Sequence, residues 1–260
     1  MSCDSASRFS RHGVKRDMGK EDRHKKPFGG EPLSRVIRII LRLLVTILVW
    51  PFFLPRVEGC REEPSDEGCI LIANHHHLFD PIFITLFFKS VRLCFIAKKE
   101  LYNMKLIGRI LKAFGAIPLD RSVSDLQASK HIISEIANKK IVGLFPQGTR
   151  VSLDKPLPAE LHSGLIYYAI RRGIPIIPVG INPTYRLFGR PRFVFGDSVK
   201  LSLREGERLN PEEQDMAANE VMRRIYALAG LKYAHKNNAE NEELFCRKIH
   251  VRPLESRADG

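Results

Sequence analysis

The residues with the clearest chemical potential form one run, Asn74-His75-His76-His77-Leu78-Phe79-Asp80-Pro81. His75 and Asp80 are separated by four residues, a spacing that a single tight turn can bring within hydrogen-bonding reach. A carboxylate that accepts from one imidazole nitrogen fixes the tautomer and leaves the other nitrogen as a general base, the arrangement that activates a hydroxyl. Asp80-Pro81 reads equally as a helix N-cap followed by proline at the first helical position, and the two roles can coexist. Three consecutive histidines also raise a metal site. Adjacent side chains diverge, however, and no Cys or carboxylate cluster with ligand spacing completes a shell, so no metal is expected.

A second run, Phe145-Pro146-Gln147-Gly148-Thr149-Arg150, carries anion-binding chemistry. Gly148 lets the backbone approach an anion, while Thr149 and Arg150 supply hydroxyl and guanidinium donors suited to phosphate. The same Pro-x-Gly pattern is an ordinary turn. In a third run, Gly115-Ala116-Ile117-Pro118-Leu119-Asp120-Arg121, Arg121 is either a ligand contact or the surface partner of Asp120 or Asp125.

Each run ends a short apolar segment that reads as a strand. The expected strands are Cys69–Ala73, Arg92–Ala97, Ala116–Leu119, Ile141–Phe145, Ile174–Ile181 and Arg192–Phe195. Expected helices are Pro81–Lys89, Met104–Phe114, Ser124–Asn138, Ser163–Arg172 and Pro211–Ala229. Strand and helix in turn predict an α/β fold, a mixed sheet covered by helices. Ligands gather at the carboxyl edge of such sheets, where the three polar runs fall.

Outside this region the chain divides into a polar tail at 1–30, an apolar segment at 31–57 and a charged C-terminal tail at 231–260, leaving 58–230 as the catalytic domain. In the apolar segment Arg35, Arg38, Arg42 and Thr46 would share a helical arc of roughly 80°. The charge-free part, Leu43 to Leu54, is about 18 Å long as a helix, short of the roughly 30 Å hydrocarbon core. A basic amphipathic helix sunk into one leaflet is therefore favoured over a span with snorkelling arginines or a helix in the protein's own core. The net charge of +13 calls for an anionic partner. No basic stripe with interleaved aromatics accompanies it, which argues against nucleic acid, and an anionic membrane surface or a phosphorylated substrate fits such a diffuse excess as well. Five scattered cysteines without a Cys-x-x-Cys pair indicate neither a disulfide framework nor a zinc ribbon.

Taken in order, the runs resemble the glycerolipid acyltransferase family typified by 1-acylglycerol-3-phosphate O-acyltransferase, over roughly residues 68–200. Asn74-His75 through Asp80-Pro81 is similar to its catalytic block. Ala97-Lys98-Lys99-Glu100-Leu101 and Gly115 through Arg121 are similar to the second, Phe145 through Arg150 to the third, and Ile174-Pro175-Ile176-Ile177-Pro178-Val179 to the fourth. The resemblance implies a glycerol-phosphate acyltransferase-like fold with an N-terminal membrane-inserted helical segment. It further implies a membrane-bound O-acyltransferase on the cytoplasmic face that makes phosphatidic acid from a lysophospholipid acceptor. The acyl thioester donor, acyl-CoA or acyl-carrier protein, would be a co-substrate, with no cofactor. His75 and Asp80 are then the expected catalytic residues, and Arg121, Gln147, Gly148, Thr149 and Arg150 the expected substrate-binding residues.

Two positions depart from the family pattern. Gln147 stands where the third block has glutamate, and His162-Ser163-Gly164 where a lysine two residues before a glycine is usual. These departures leave open an acyltransferase for a different lysolipid, and beyond it a membrane-binding protein without catalysis.

Overall fold

A computed structural model describes residues 40, 43, 44, 47, 51–113, 116–119, 125–153 and 161–254. The tail at 1–30, the stripe of Arg35, Arg38, Arg42 and Thr46, and Asp120 with Arg121 lie outside the described residues.

Nine strands and six helices follow in the described chain: β1 (Arg56–Gly59), β2 (Cys69–Ala73), α1 (Asp80–Phe87), β3 (Leu93–Lys98), α2 (Lys105–Ala113), β4 (Ile117–Leu119), α3 (Asp125–Ala137), β5 (Ile141–Leu144), α4 (Gly164–Arg172), β6 (Pro175–Asn182), β7 (Arg192–Phe195), β8 (Val199–Leu203), α5 (Pro211–Leu228), α6 (Asn238–Lys248) and β9 (Ile249–Pro253). The expected strands and helices all form, with ends shifted by at most two residues. Helix α5 starts where its sequence demands. Asn210 accepts from the Glu213 amide, Glu213 returns a bond to the Asn210 amide, and Pro211 opens the first turn.

The strands make one sheet in the order β1-β7-β6-β2-β5-β3-β4, with β8 beside β6 and β9 beside β8. Strands β6, β2, β5, β3 and β4 run parallel, so their carboxyl ends share one edge. β7 and β8 pair antiparallel with β6, which makes the sheet mixed, as expected.

β2 is buried along its whole length, because helices cover both of its faces. Ile70 and Ile72 point into a core shared with Ile132 and Ile136 of α3, Ile166 and Ile170 of α4, Met222 and Ile225 of α5, and Phe245 of α6. Cys69, Leu71 and Ala73 point to the other side, against Phe83, Ile84 and Phe87 of α1 together with Phe193 and Phe195 of β7.

The C-terminal region corrects the sequence reading. Residues 231–254 are not a charged tail, because they contribute α6 and β9, and Leu244, Phe245 and Ile249 are buried in the main core. The folded domain therefore extends past residue 230. β1, β8 and β9 lie outside the expected strands. Within β8 and β9 one residue each is buried, Leu201 and Ile249, so neither carries an apolar run. Among the described residues no helix is long and apolar enough to cross a membrane. Of the expected amphipathic segment, Ile40, Leu43, Leu44 and Ile47 are helical and exposed.

Phe245 separates the two views of the C-terminus. Phe245→Ala is expected to cost about 3–5 kcal/mol in urea unfolding, the usual penalty for emptying a buried aromatic site. A substitution in a solvated tail would leave the unfolding midpoint unchanged.

Candidate active site

Three loops meet at the carboxyl edge of the parallel strands. The loop after β2 carries the histidines, that after β5 carries residues 145–153, and that after β6 carries Pro183 and Tyr185. Since β2 lies between β5 and β6, these loops are neighbours whatever their separation in sequence.

Asp80 is wholly buried, at 0% exposure. A buried carboxylate must be compensated by donors, and four converge on it. Oδ2 accepts from the backbone N–H of His76 and of His77, both at 2.7 Å, and from His75 Nδ1 at 2.9 Å. Oδ1 accepts from the Tyr185 hydroxyl. Burial first, and the Asp80 charge second, push the Tyr185 phenol up, so it stays protonated and serves as a donor. Asp80 is the first residue of α1, yet its carboxylate turns back to the loop and does not cap the helix, whose N-cap position is Phe79.

Because the carboxylate can only accept, His75 carries its proton on Nδ1 and presents a lone pair on Nε2. The ring stacks on Phe145 with centroids 4.2 Å apart, and its side chain keeps 18% of its surface exposed. The backbone N–H of His75 donates to Gln147 Oε1 at 2.7 Å, and its carbonyl accepts from the Val151 amide at 2.8 Å. The β5 loop thus grips the histidine from both sides of its own backbone.

His76 takes a different part. Its Nδ1 lies 2.5 Å from the Val151 carbonyl and its Nε2 lies 2.7 Å from Asn74 Nδ2. A carbonyl accepts and an amide nitrogen donates, so His76 is neutral with its proton on Nδ1. Asn74 is buried and completes the lattice, exchanging two bonds with the main chain of Ile181 in β6. Burial holds His76 below the usual histidine range. His77 stacks on Tyr185 at 4.3 Å and is also held low, by burial and then by the Arg150 charge against the opposing pull of Asp80. The three rings therefore diverge toward three different partners.

Gln147, an expected substrate-binding residue, is turned inward and holds the His75 backbone. It is 3% exposed, its Oε1 is taken by His75 N–H and its Nε2 donates to the Tyr226 hydroxyl at 2.8 Å, which leaves it no direct reach to a ligand. Burial pushes the Tyr226 phenol up to about 12. Gly148 adopts φ +63°, which glycine occupies freely, with the His162 ring packed against the side where a Cβ would project. Thr149 and Arg150 are exposed, and they line an open cleft of about 560 Å³ together with His76, His77, Leu153 and Tyr185. Arg121 is not described, so its expected contact has no counterpart in the geometry.

Tyr185 and Tyr226 complete the site and lie outside every run that the sequence marks, whereas Asn74 opens the first of those runs. Nothing near Tyr185 or Tyr226 in the chain marks them, since their partners lie 105 and 79 residues away.

A histidine base oriented by a buried carboxylate, beside hydroxyl and guanidinium donors on a parallel-sheet edge, is equipped for group transfer to a hydroxyl. The acyltransferase family profile matches residues 55–182, the stretch that holds all of these groups except Tyr185 and Tyr226. The chain belongs to the acyltransferase family. It is 31% identical over 141 residues to the 1-acyl-sn-glycerol-3-phosphate acyltransferase of Bacillus subtilis, an alignment covering 52% of this chain and 69% of that protein. The corresponding enzyme of Streptococcus pneumoniae is 27% identical over 210 residues, 78% of this chain and 76% of its own. The crystal structure of the 1-acyl-sn-glycerophosphate acyltransferase of Thermotoga maritima shares the fold, with a TM-score of 0.55 at 24% identity over 78% of this chain and 82% of that one.

Two outcomes follow from these bonds. Tyr185→Phe strips one donor from a buried carboxylate, and it should lower kcat about tenfold to a hundredfold with little change in KM, the worth of one bond to a charged group. His76, whose folded value lies below its unfolded value of about 6.5, favours the folded state fully above that pH. Stability should fall as pH drops from about 6.5 through the lowered folded value, and urea midpoints measured across that window should flatten in His76→Gln.

Proposed function

We propose that this chain is a membrane-bound 1-acylglycerol-3-phosphate O-acyltransferase that takes its acyl group from a thioester. The observation that carries the reading is the His75–Asp80 pair at 2.9 Å, its second imidazole nitrogen left without a partner among the described residues and so open to a substrate hydroxyl. His75 Nε2 removes the proton from the free hydroxyl of the acceptor as that oxygen attacks the thioester carbonyl. The tetrahedral oxyanion collapses, the carbon–sulfur bond breaks, and the leaving thiolate takes the proton back from the imidazolium. The products are an ester and a thiol, phosphatidic acid in the case of this acceptor. Asp80 stabilises the transient imidazolium without itself taking the proton.

No covalent acyl-enzyme is required. His75 bonds to Asp80, Gln147 and Val151 and stacks on Phe145, so among the described residues no serine or cysteine hydrogen-bonds to it as an activated nucleophile. Thr149 and Arg150, exposed in the cleft beside His76 and His77, are placed to take the acceptor phosphate. The Arg150 charge also opposes protonation of His77, which supports a place for it beside the histidine loop.

A location on the cytoplasmic face of an anionic membrane fits the net charge of +13 and the exposed helical residues Ile40, Leu43, Leu44 and Ile47, whose spacing places them on one face. A lipid acceptor and a lipid product require the cleft to stand at a lipid surface.

Thiol release from acyl-CoA in the presence of lysophosphatidic acid tests this reading. His75→Ala is expected to lower kcat by about 10²–10⁴, the contribution of a positioned base. Arg150→Ala should act mainly by raising KM for lysophosphatidic acid. A normally folded His75→Ala variant with undiminished turnover would overturn the mechanism. An unchanged KM in Arg150→Ala, with the acceptor still consumed, would assign the site to an acceptor with a different head group.

A further inference from the structure

The turn that follows Tyr185 reads Arg186-Leu187-Phe188-Gly189-Arg190, two large apolar residues between two arginines. Leu187 and Phe188 are 64% and 62% exposed. The turn is nevertheless closely built. The Gly189 N–H donates to the Arg186 carbonyl at 2.8 Å, and a Cβ at Gly189 would meet the Thr184 carbonyl oxygen at 2.2 Å. It is also tied to the end of the N-terminal helical segment, since Phe188 N–H donates to the Phe52 carbonyl at 2.8 Å and Arg190 N–H to that of Phe53 at 3.0 Å.

At this junction the backbone is strained. Leu54, Phe188 and Arg190 adopt φ of +44°, +57° and +55°, and Lys139 is the one other non-glycine residue with positive φ among the described residues. Bulky residues adopt that region only where their surroundings impose it, and such strain gathers where a side chain must be presented for function. Here it holds an aromatic ring and a leucine out in solvent, beside Phe52, itself 53% exposed.

We propose that residues 186–190 form a second lipid-engaging element. Leu187 and Phe188 enter the headgroup region of an anionic bilayer while Arg186 and Arg190, both exposed, bind its phosphates. The proposal rests on the membrane location proposed above and adds to it a contact made by the catalytic domain itself. Flanking positive charge favours an anionic lipid surface over a protein partner, and the bonds to Phe52 and Phe53 make the turn continuous with the segment read as membrane-associated. The geometry also gives the contact a purpose. Pro183 and Tyr185, on the same loop, line the cleft, so a turn seated in the bilayer brings the cleft mouth to the lipid surface from which an acceptor must enter.

Trp50 is the chain's single tryptophan, so a full-length Trp50→Phe, Leu187→Trp protein carries its only indole on the turn. With vesicles of phosphatidylcholine and phosphatidylglycerol, the protein should co-sediment, and the introduced tryptophan should shift its emission to the blue and be quenched by brominated lipid tails. Leu187→Ser with Phe188→Asn, the asparagine chosen because it tolerates positive φ, should weaken vesicle affinity about tenfold while thiol release with a micelle-free short-chain acceptor is kept. Arg186→Gln and Arg190→Gln should each weaken it about fivefold, and only on anionic vesicles. Co-sedimentation without any change at the introduced tryptophan overturns this inference and leaves a membrane contact through the N-terminal segment standing. No co-sedimentation at all overturns both. A shift that grows with protein concentration in the absence of lipid assigns the turn to a second copy of the chain and overturns the lipid assignment.

Discussion

The Asp80 carboxylate is the point on which the site depends. A negative charge with no exposed surface is tolerable only if donors surround it, and the donors come from two parts of the chain: the histidine loop after β2 and Tyr185 after β6. Meeting that requirement closes the loop around the carboxylate. The same bonds that neutralise the charge also set the tautomer of His75, so the electrostatic need of the fold and the chemical need of the site are met by one arrangement.

Gln147 supplies the second restraint. A glutamine can accept and donate at once, and here it does both, between the His75 amide and the Tyr226 hydroxyl of α5. The helix on one side of the sheet is thereby linked to the backbone of the base. A carboxylate at this position could accept both bonds if the tyrosine turned its proton inward, which makes glutamine and glutamate alternative solutions to one positioning problem. The substitution therefore bears on how His75 is held and does not by itself redefine the acceptor.

A chain of contacts runs from the N-terminal segment to the base. Phe53 packs edge-on against Phe79, Phe83 and Tyr185 at 5.6, 6.0 and 5.9 Å, Tyr185 donates to Asp80, and Asp80 holds His75. Edge-on aromatic pairs contribute beyond their buried area, about 0.5–1.5 kcal/mol each. The segment read as membrane-associated thus enters the domain at the aromatic cluster that supports the buried Asp80 carboxylate, and the strained turn at Phe188 lies at the same junction.

Much of this was legible in the chain. Apolar runs of strand length, amphipathic stretches between them and polar clusters after the strands were sufficient to locate the parallel half of the sheet, its covering helices, and the His75–Asp80 and Thr149–Arg150 runs, because those signals are local. Their spacing is a property of neighbouring residues and survives without knowledge of the fold. β8, β9 and α6 escaped because two strands with one buried residue each and a half-exposed helix carry no apolar run, and Leu201, Phe245 and Ile249 become core residues only when the rest of the core meets them. Tyr185, Tyr226 and the internal role of Gln147 were decided by tertiary structure alone. Each acts through hydrogen bonds to partners that the fold brings close, and a pairing between residues more than 70 positions apart leaves no periodicity for sequence to display.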